Sequence, residues 1–286
     1  MNRPHRAEPA SHRIRPGTRR LARTVLVVLV GLGPTGCAAG GPDVGAGARS
    51  TGTASGSTTV PPVSGTITVL AAASLTEAFT TLGEQFESAH PGVKVTLGFA
   101  ASSALARQIA SGAPADVFAS ASAPTMDAVV AAGAATDPTT FATNSMQIAV
   151  PPSNPGKVTG VGSLAAADVT TALCQPQVPC GAAADQVFAT AGVRVTPVTL
   201  EPDVKSVLSK VRLGEVDAGL VYLTDVLAAG DEVRGVAVPD DVNASTSYPI
   251  ASLTASENPG TAAAFVDYVL SPAGAGVLGA AGFRQP

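Results

Sequence analysis

From residue 65 onward, short β-branched runs alternate with stretches whose apolar positions recur every three or four residues. Residues 66–70 (Thr-Ile-Thr-Val-Leu) read as a strand. Residues 75–88 read as a helix, with Leu75, Ala78, Phe79, Leu82 and Phe86 on one stripe, the period of a helix that buries one face. His90-Pro91-Gly92 stops it. The same reading predicts strands at 93–97, 115–119, 146–150, 169–173, 195–200, 218–222, 236–238 and 248–253. It predicts helices at 103–111, 123–132 and 182–191, one marked by Val204, Val207, Leu208 and Val211 behind the cap Asp203, and a last one marked by Phe265, Val266, Val269 and Leu270. Strand–helix alternation of this kind builds α/β sheets with parallel strands. The break Pro151-Pro152-Ser153-Asn154-Pro155-Gly156 suggests two lobes, residues 65–147 plus 246–286 and residues 148–245.

The pattern before residue 65 is different. Arginine-rich residues 3–23 lead into the apolar run 25–30 and then Gly31-Leu32-Gly33-Pro34-Thr35-Gly36-Cys37. A charged start, a short apolar run and small residues form an export signal. The run is far shorter than the roughly 20 residues of a membrane-spanning helix. Small residues before Cys37 resemble a bacterial lipobox, with Pro34 where leucine is usual, so residues 1–37 are expected to be a signal and Cys37 a lipid anchor. Arg19-Arg20 fits either a twin-arginine signal or extra positive charge. Residues 38–64 contain almost no large apolar side chain and are expected to be a tether.

Charge changes the picture once the signal is set aside. Seven of the 17 basic residues but only one of the 21 acidic residues precede position 24, which leaves ten basic and twenty acidic residues, a net charge of −10. Nucleic-acid binding needs a basic face, and none is visible. Cys174 and Cys180 are separated by five residues; an exported chain can join them in a disulfide, with free thiols as the alternative. Metal binding is disfavoured because His90 is the only histidine after the signal.

Candidate chemistry sits at the carboxyl ends of strands, where ligands bind in open α/β sheets. Ser74 and Glu77 stand at capping-box spacing, and Ser102 opens a second serine turn. Cys180-Gly181 and Asp203-Val204 precede two further helices, and Tyr222 ends a strand. Taken singly, each has a bland reading as a cap, a core residue or a strand-end tyrosine. Together, if the helix starts converge, their free N–H groups and positive dipole ends make a site for a fully ionised oxyanion.

At these residues the chain resembles a known family, the extracytoplasmic molybdate-binding proteins of ABC importers. The resemblance spans about residues 67–283. It is densest in Ala71-Ala72-Ala73-Ser74-Leu75-Thr76, in the stretch from Phe99 to Phe118 that ends in Gly112-Ala113-Pro114-Ala115-Asp116-Val117-Phe118, and in Val178-Pro179-Cys180-Gly181. Asp203-Val204 and Gly219-Leu220-Val221-Tyr222 with Asp225 also match. It implies a two-lobed periplasmic-binding-protein-like α/β fold of type II, each lobe a mixed sheet flanked by helices, with the ligand cleft between them. It implies that the hydroxyls of Ser74, Ser102 and Tyr222 and the main-chain N–H groups of Cys180 and Val204 hold molybdate or tungstate, with no cofactor and no metal cation. It further implies a membrane ABC permease as partner, a monomer on the outer face of the cell membrane, and no catalysis. Cys180 departs from the alanine usual in the family, a swap that a main-chain donor tolerates. Two alternatives stay open: a binding protein of this fold for another small ligand, and an exported serine hydrolase using Ser74 or Ser102, for which the sequence offers no base but His90.

Overall fold

The computed structural model describes residues 63–286; the signal, Cys37 and the tether up to residue 62 lie outside the described residues. The elements in chain order are β1 (Gly65–Ala72), α1 (Thr76–Ala89), β2 (Val93–Ala100), α2 (Ser102–Ala110), β3 (Val117–Ala119), α3 (Ala123–Ala131) and β4 (Thr139–Val150). They continue with β5 (Thr171–Cys174), α4 (Pro179–Ala191), β6 (Thr199–Glu201), α5 (Val204–Arg212), β7 (Ala218–Tyr222), α6 (Leu223–Ala229), β8 (Arg234–Ala237), β9 (Ser245–Ser252), α7 (Pro259–Leu270) and α8 (Pro272–Ala280).

The strands are ordered β2-β1-β3-β9-β4-β7-β5-β6, with β8 also paired to β4. β1 is parallel to β2 and β3, and β5 is parallel to β6 and β7. The antiparallel strands β9 and β4 join these two parallel groups. β4 is the pivot of the topology. Its first part, Thr139 to Ser145, pairs with β9, and from Met146 onward it pairs with β7 and β8. Only residues 146–150 were legible as strand because that part is nearly all apolar; the preceding Thr- and Asn-rich part lacks a clean alternation.

Each parallel group carries helices on its faces, and the apolar stripes read from the sequence supply its core. Phe79, Leu82 and Phe86 of α1 pack with Phe265 of α7 and Tyr248 of β9. Phe86 and Phe265 meet edge to face with centroids 5.3 Å apart. Burying such a side chain contributes about 1.5–3 kcal/mol. On the other face Leu70, Phe118 and Met126 form a separate cluster. Val207 and Val211 of α5 join Leu220 and Tyr222 in the third.

Two sequence expectations need correction. The strand expected at 195–200 is confined to Thr199–Glu201, because Pro197 removes a ladder donor and Val198 lies 63% exposed. The second C-terminal helix, α8, escaped notice because its glycines are poor helix formers. Gly274 is nevertheless required there, since a Cβ would lie 2.2 Å from the Val269 carbonyl oxygen where α8 turns against α7.

Candidate functional site

Ser74, Ser102, Cys180, Val204 and Tyr222 line one cavity, with Ala72, Ala73, Ala101, Ala121, Pro179 and Asp203 completing its wall. It lies beyond the carboxyl ends of β1, β2, β3 and β7 and collects residues from both parallel groups. The void is about 220 Å³, of which about 20 Å³ is open to the centre of a water-sized sphere. By the latter measure one water needs about 10–15 Å³, so the site suits a small ion rather than a sugar or peptide.

Each donor is placed for a local reason. Ser74 is not the N-cap that its spacing to Glu77 predicted. It lies in the middle of a 3-10 turn, Ala73–Leu75, with no side-chain cap bond at α1. Thr76 tightens that turn by donating to the Ala73 carbonyl at 2.7 Å. The Ser74 hydroxyl instead meets the Tyr248 hydroxyl at 2.8 Å. Ser102 is the first residue of α2, and its Oγ accepts the Ala121 N–H at 2.9 Å. Val204 opens α5, whose cap Asp203 accepts from the Ser206 N–H at 2.9 Å. Its side chain is buried in the core, while its N–H belongs to the first helical turn, where the helix supplies no carbonyl partner.

Cys180 occupies the first turn of α4 behind Pro179 and is joined by a disulfide to Cys174 at the end of β5, with Sγ–Sγ 2.07 Å. Gly181 lets this turn close onto the preceding loop, since a Cβ there would lie 2.0 Å from the Gln175 carbonyl oxygen. Gly181→Ala is therefore expected to push the start of α4 away and carry the Cys180 N–H with it. Such overpacking costs about 1–3 kcal/mol of stability, and ligand affinity should fall at least tenfold. Paired denaturation and titration measurements check both effects.

Tyr222 ends β7 and is 1% exposed, yet its hydroxyl has no hydrogen-bond partner among the described residues. Thr246 and Tyr248 are near enough to influence its titration, but neither meets it at hydrogen-bonding geometry. Burial pushes the phenol well above the ordinary tyrosine value, so it stays a neutral donor at physiological pH.

Among the described residues, no lysine, arginine or histidine lines the cavity, and the only charged one in its wall is Asp203. Attraction for an anion must come from aligned N–H groups and helix N-termini. Among the described residues, no three His, Cys, Asp or Glu side chains gather as metal ligands would.

Sequence reasoning named Glu77 and Asp225 but missed the polar network behind this wall to which they belong. Asn144 donates to the Thr224 hydroxyl at 2.9 Å and, over a longer 3.4 Å, to the Tyr248 hydroxyl. Lys205, next to Val204, meets both Glu77 carboxylate oxygens at 2.8 Å and Asp225 Oδ1 at 3.0 Å. Asp225 in turn accepts the Tyr222 N–H at 3.1 Å. Burial works against the Lys205 charge, but its two carboxylate partners raise its pKa above the usual lysine value.

Fold and site together define a two-lobed extracytoplasmic solute-binding protein. A family model described as bacterial extracellular solute-binding protein matches residues 67–284, and the chain belongs to that family. It is 43% identical over 221 residues to the molybdate-binding protein ModA of Mycobacterium tuberculosis H37Rv, covering 77% of this chain and 85% of the relative. It is 34% identical over 236 residues to ModA of Escherichia coli K12, covering 77% and 89%. The periplasmic molybdate-binding protein of Azotobacter vinelandii superposes with a TM-score of 0.69 at 22% identity, over 77% of this chain and 99% of that one.

Proposed function

We propose that this protein binds molybdate, and tungstate with it, and delivers the oxyanion to a membrane ABC permease. The hydroxyls of Ser74, Ser102 and Tyr222 and the N–H groups of Cys180 and Val204 hold the ion. The observation that carries this reading is the convergence of these five neutral donors on one small cavity without a cation. Relatives named for molybdate support it. A donor bond to a charged group is worth about 1.5–3 kcal/mol net. Five together give about 7.5–15 kcal/mol, a range that brackets the roughly 8 kcal/mol of a micromolar complex before the cost of association is taken off.

The two lobes are residues 65–147 with 246–286 and residues 148–245, a division supported by the change of strand partners between Ser145 and Met146. Closing them over the ion completes the donor set. Cys37 holds the protein as a monomer on the outer face of the membrane. The proposed role involves no catalytic step; in support of it, among the described residues Ser74 meets the Tyr248 hydroxyl and Ser102 the Ala121 N–H, and His90 sits at the far end of α1 against Phe86.

Thermal unfolding of the exported protein with added anions is the test. At a hundredfold excess over the dissociation constant, a ligand stabilises by about 2.7 kcal/mol. Molybdate and tungstate should both raise the midpoint, while sulfate at equal concentration should leave it nearly unchanged. Equal shifts from all three, or no shift from molybdate, would defeat the reading.

A further inference from the structure

Glu77 and Lys205 stand beside donors of the cavity without lining it. Glu77 lies in the first turn of α1, three residues after Ser74, and Lys205 follows Val204 at the start of α5. The Lys205 ammonium meets both Glu77 carboxylate oxygens at 2.8 Å. Ser74 and Glu77 belong to the lobe of residues 65–147 with 246–286, and Val204 and Lys205 to the lobe of residues 148–245. The other ion pairs among the described residues are Lys94–Glu87, Lys205–Asp225, Lys210–Glu215 and Arg212–Glu232, and each stays within one lobe. Two further side-chain hydrogen bonds cross, Asn144 to Thr224 and one between Asn243 and Met146. Both involve β4, where the chain passes from one lobe to the other, so they sit at the hinge of any opening. The Glu77–Lys205 pair sits beside the cavity, where opening must break it.

Lys205 is prepared for this contact. Asp225 holds its ammonium at 3.0 Å from within the same lobe, and accepts the Tyr222 N–H at 3.1 Å. The lysine has therefore already lost much of its conformational freedom, and meeting Glu77 costs it little more. An ordinary surface pair loses most of its Coulomb gain to that ordering. The Glu77 side chain is 51% exposed, so solvent and salt can break and remake the pair without unfolding either lobe.

We propose that Glu77 and Lys205 form an ion-pair latch across the cleft, which biases the lobes towards closure and slows escape of the bound ion. This inference rests on the two-lobed oxyanion reading given above. Both are positioning residues: they draw together the helix starts that follow the Ser74 hydroxyl and carry the Val204 N–H. Apparent affinity scales with the closed fraction. Release requires opening, so the effect of the latch falls on dissociation.

The test is stopped-flow kinetics of molybdate binding by the exported protein, with sodium chloride varied from ~10 mM to ~1 M, over which the screening length falls from ~30 to ~3 Å. Glu77→Gln leaves the Lys205–Asp225 pair in place and strands no buried charge. At low salt it should raise the dissociation rate about three- to fivefold, the upper end of what a half-exposed pair supplies, with the association rate nearly unchanged. Wild-type dissociation should quicken with salt, and the variant should lose most of that dependence. In a Lys205→Met/Asp225→Asn background, Glu77→Gln should change nothing further, because its partner is gone. A merely structural role would act equally in both backgrounds. That result, or an unchanged dissociation rate, overturns the proposal; if the combined background does not fold, the salt comparison decides. Small-angle scattering of the ligand-free protein gives a reading that needs no ligand. Glu77→Gln should enlarge the radius of gyration at low salt and match the wild type at high salt, and equal radii at low salt overturn the latch. Failure of the wild-type protein to bind molybdate would instead strike the proposed function, with the scattering comparison still deciding the latch.

Discussion

Replacing Tyr222 with phenylalanine should stabilise the ligand-free protein while weakening its grip on the oxyanion. The hydroxyl is buried and unpartnered among the described residues, and such a group costs about 1–3 kcal/mol relative to an apolar replacement. The ring keeps its packing, including the edge-on contact with Tyr248 at 6.1 Å. A gain near 1 kcal/mol would raise the melting midpoint by about 2–4 °C in a protein of this size. In the complex the same substitution removes a donor to a charged ligand, worth about 1.5–3 kcal/mol, or roughly 10- to 150-fold in affinity. Calorimetry of the apo protein and titration with molybdate measure the two effects separately. If both stability and affinity fell, the hydroxyl would be a structural group; if affinity held, Tyr222 would lie outside the donor set.

Lys205→Met should produce the largest loss of stability. The Asp225 side chain is fully buried, and Lys205 is its cationic partner at 3.0 Å. Removing one member of a buried pair costs about 3–5 kcal/mol because the other charge is stranded. A value near 3 kcal/mol is expected, since the Lys205 side chain is 24% exposed and its bonds to the half-exposed Glu77 add little. Adding Asp225→Asn should restore most of the loss, because an amide can still accept the Tyr222 N–H without needing a cation.

The same carboxylate sets the pH dependence. Burial raises the Asp225 pKa despite Lys205, so the folded state binds this proton more tightly than the unfolded chain does. Its contribution to stability is present below the unfolded value and is lost as pH rises through the folded one. Lys205→Met raises the pKa further, so the penalty should be greatest at neutral and alkaline pH and shrink on acidification. Denaturant titrations across pH would show this; a penalty that grew in acid would refute the assignment.

Much of the site was legible in the sequence for a simple reason. Its donors lie where strands end and helices begin, and those junctions are written locally, in periodicity and in residues such as Asp203 and Pro179. The capping reading of Ser74 failed because a spacing of three residues marks a cap only if the helix starts directly after the serine. Here Thr76 holds a 3-10 turn around it. The polar groups behind the wall were not legible. Tyr248 belongs to an apolar strand pattern, and Asn144 lies in the polar first part of β4 that did not read as a strand.

The sequence by itself determined the strand–helix alternation, the acidic charge that rules out simple electrostatic capture, and the kinds of donor at each junction. These follow from interactions within a few residues and from composition. Tertiary structure alone decided that Ser74, Ser102, Cys180, Val204 and Tyr222 line one cavity, that Ser74 finds Tyr248 across 174 positions, and that Lys205 reaches Glu77 across 128. Such partners are selected by strand order and by the packing of helices across β4, and no local pattern encodes them.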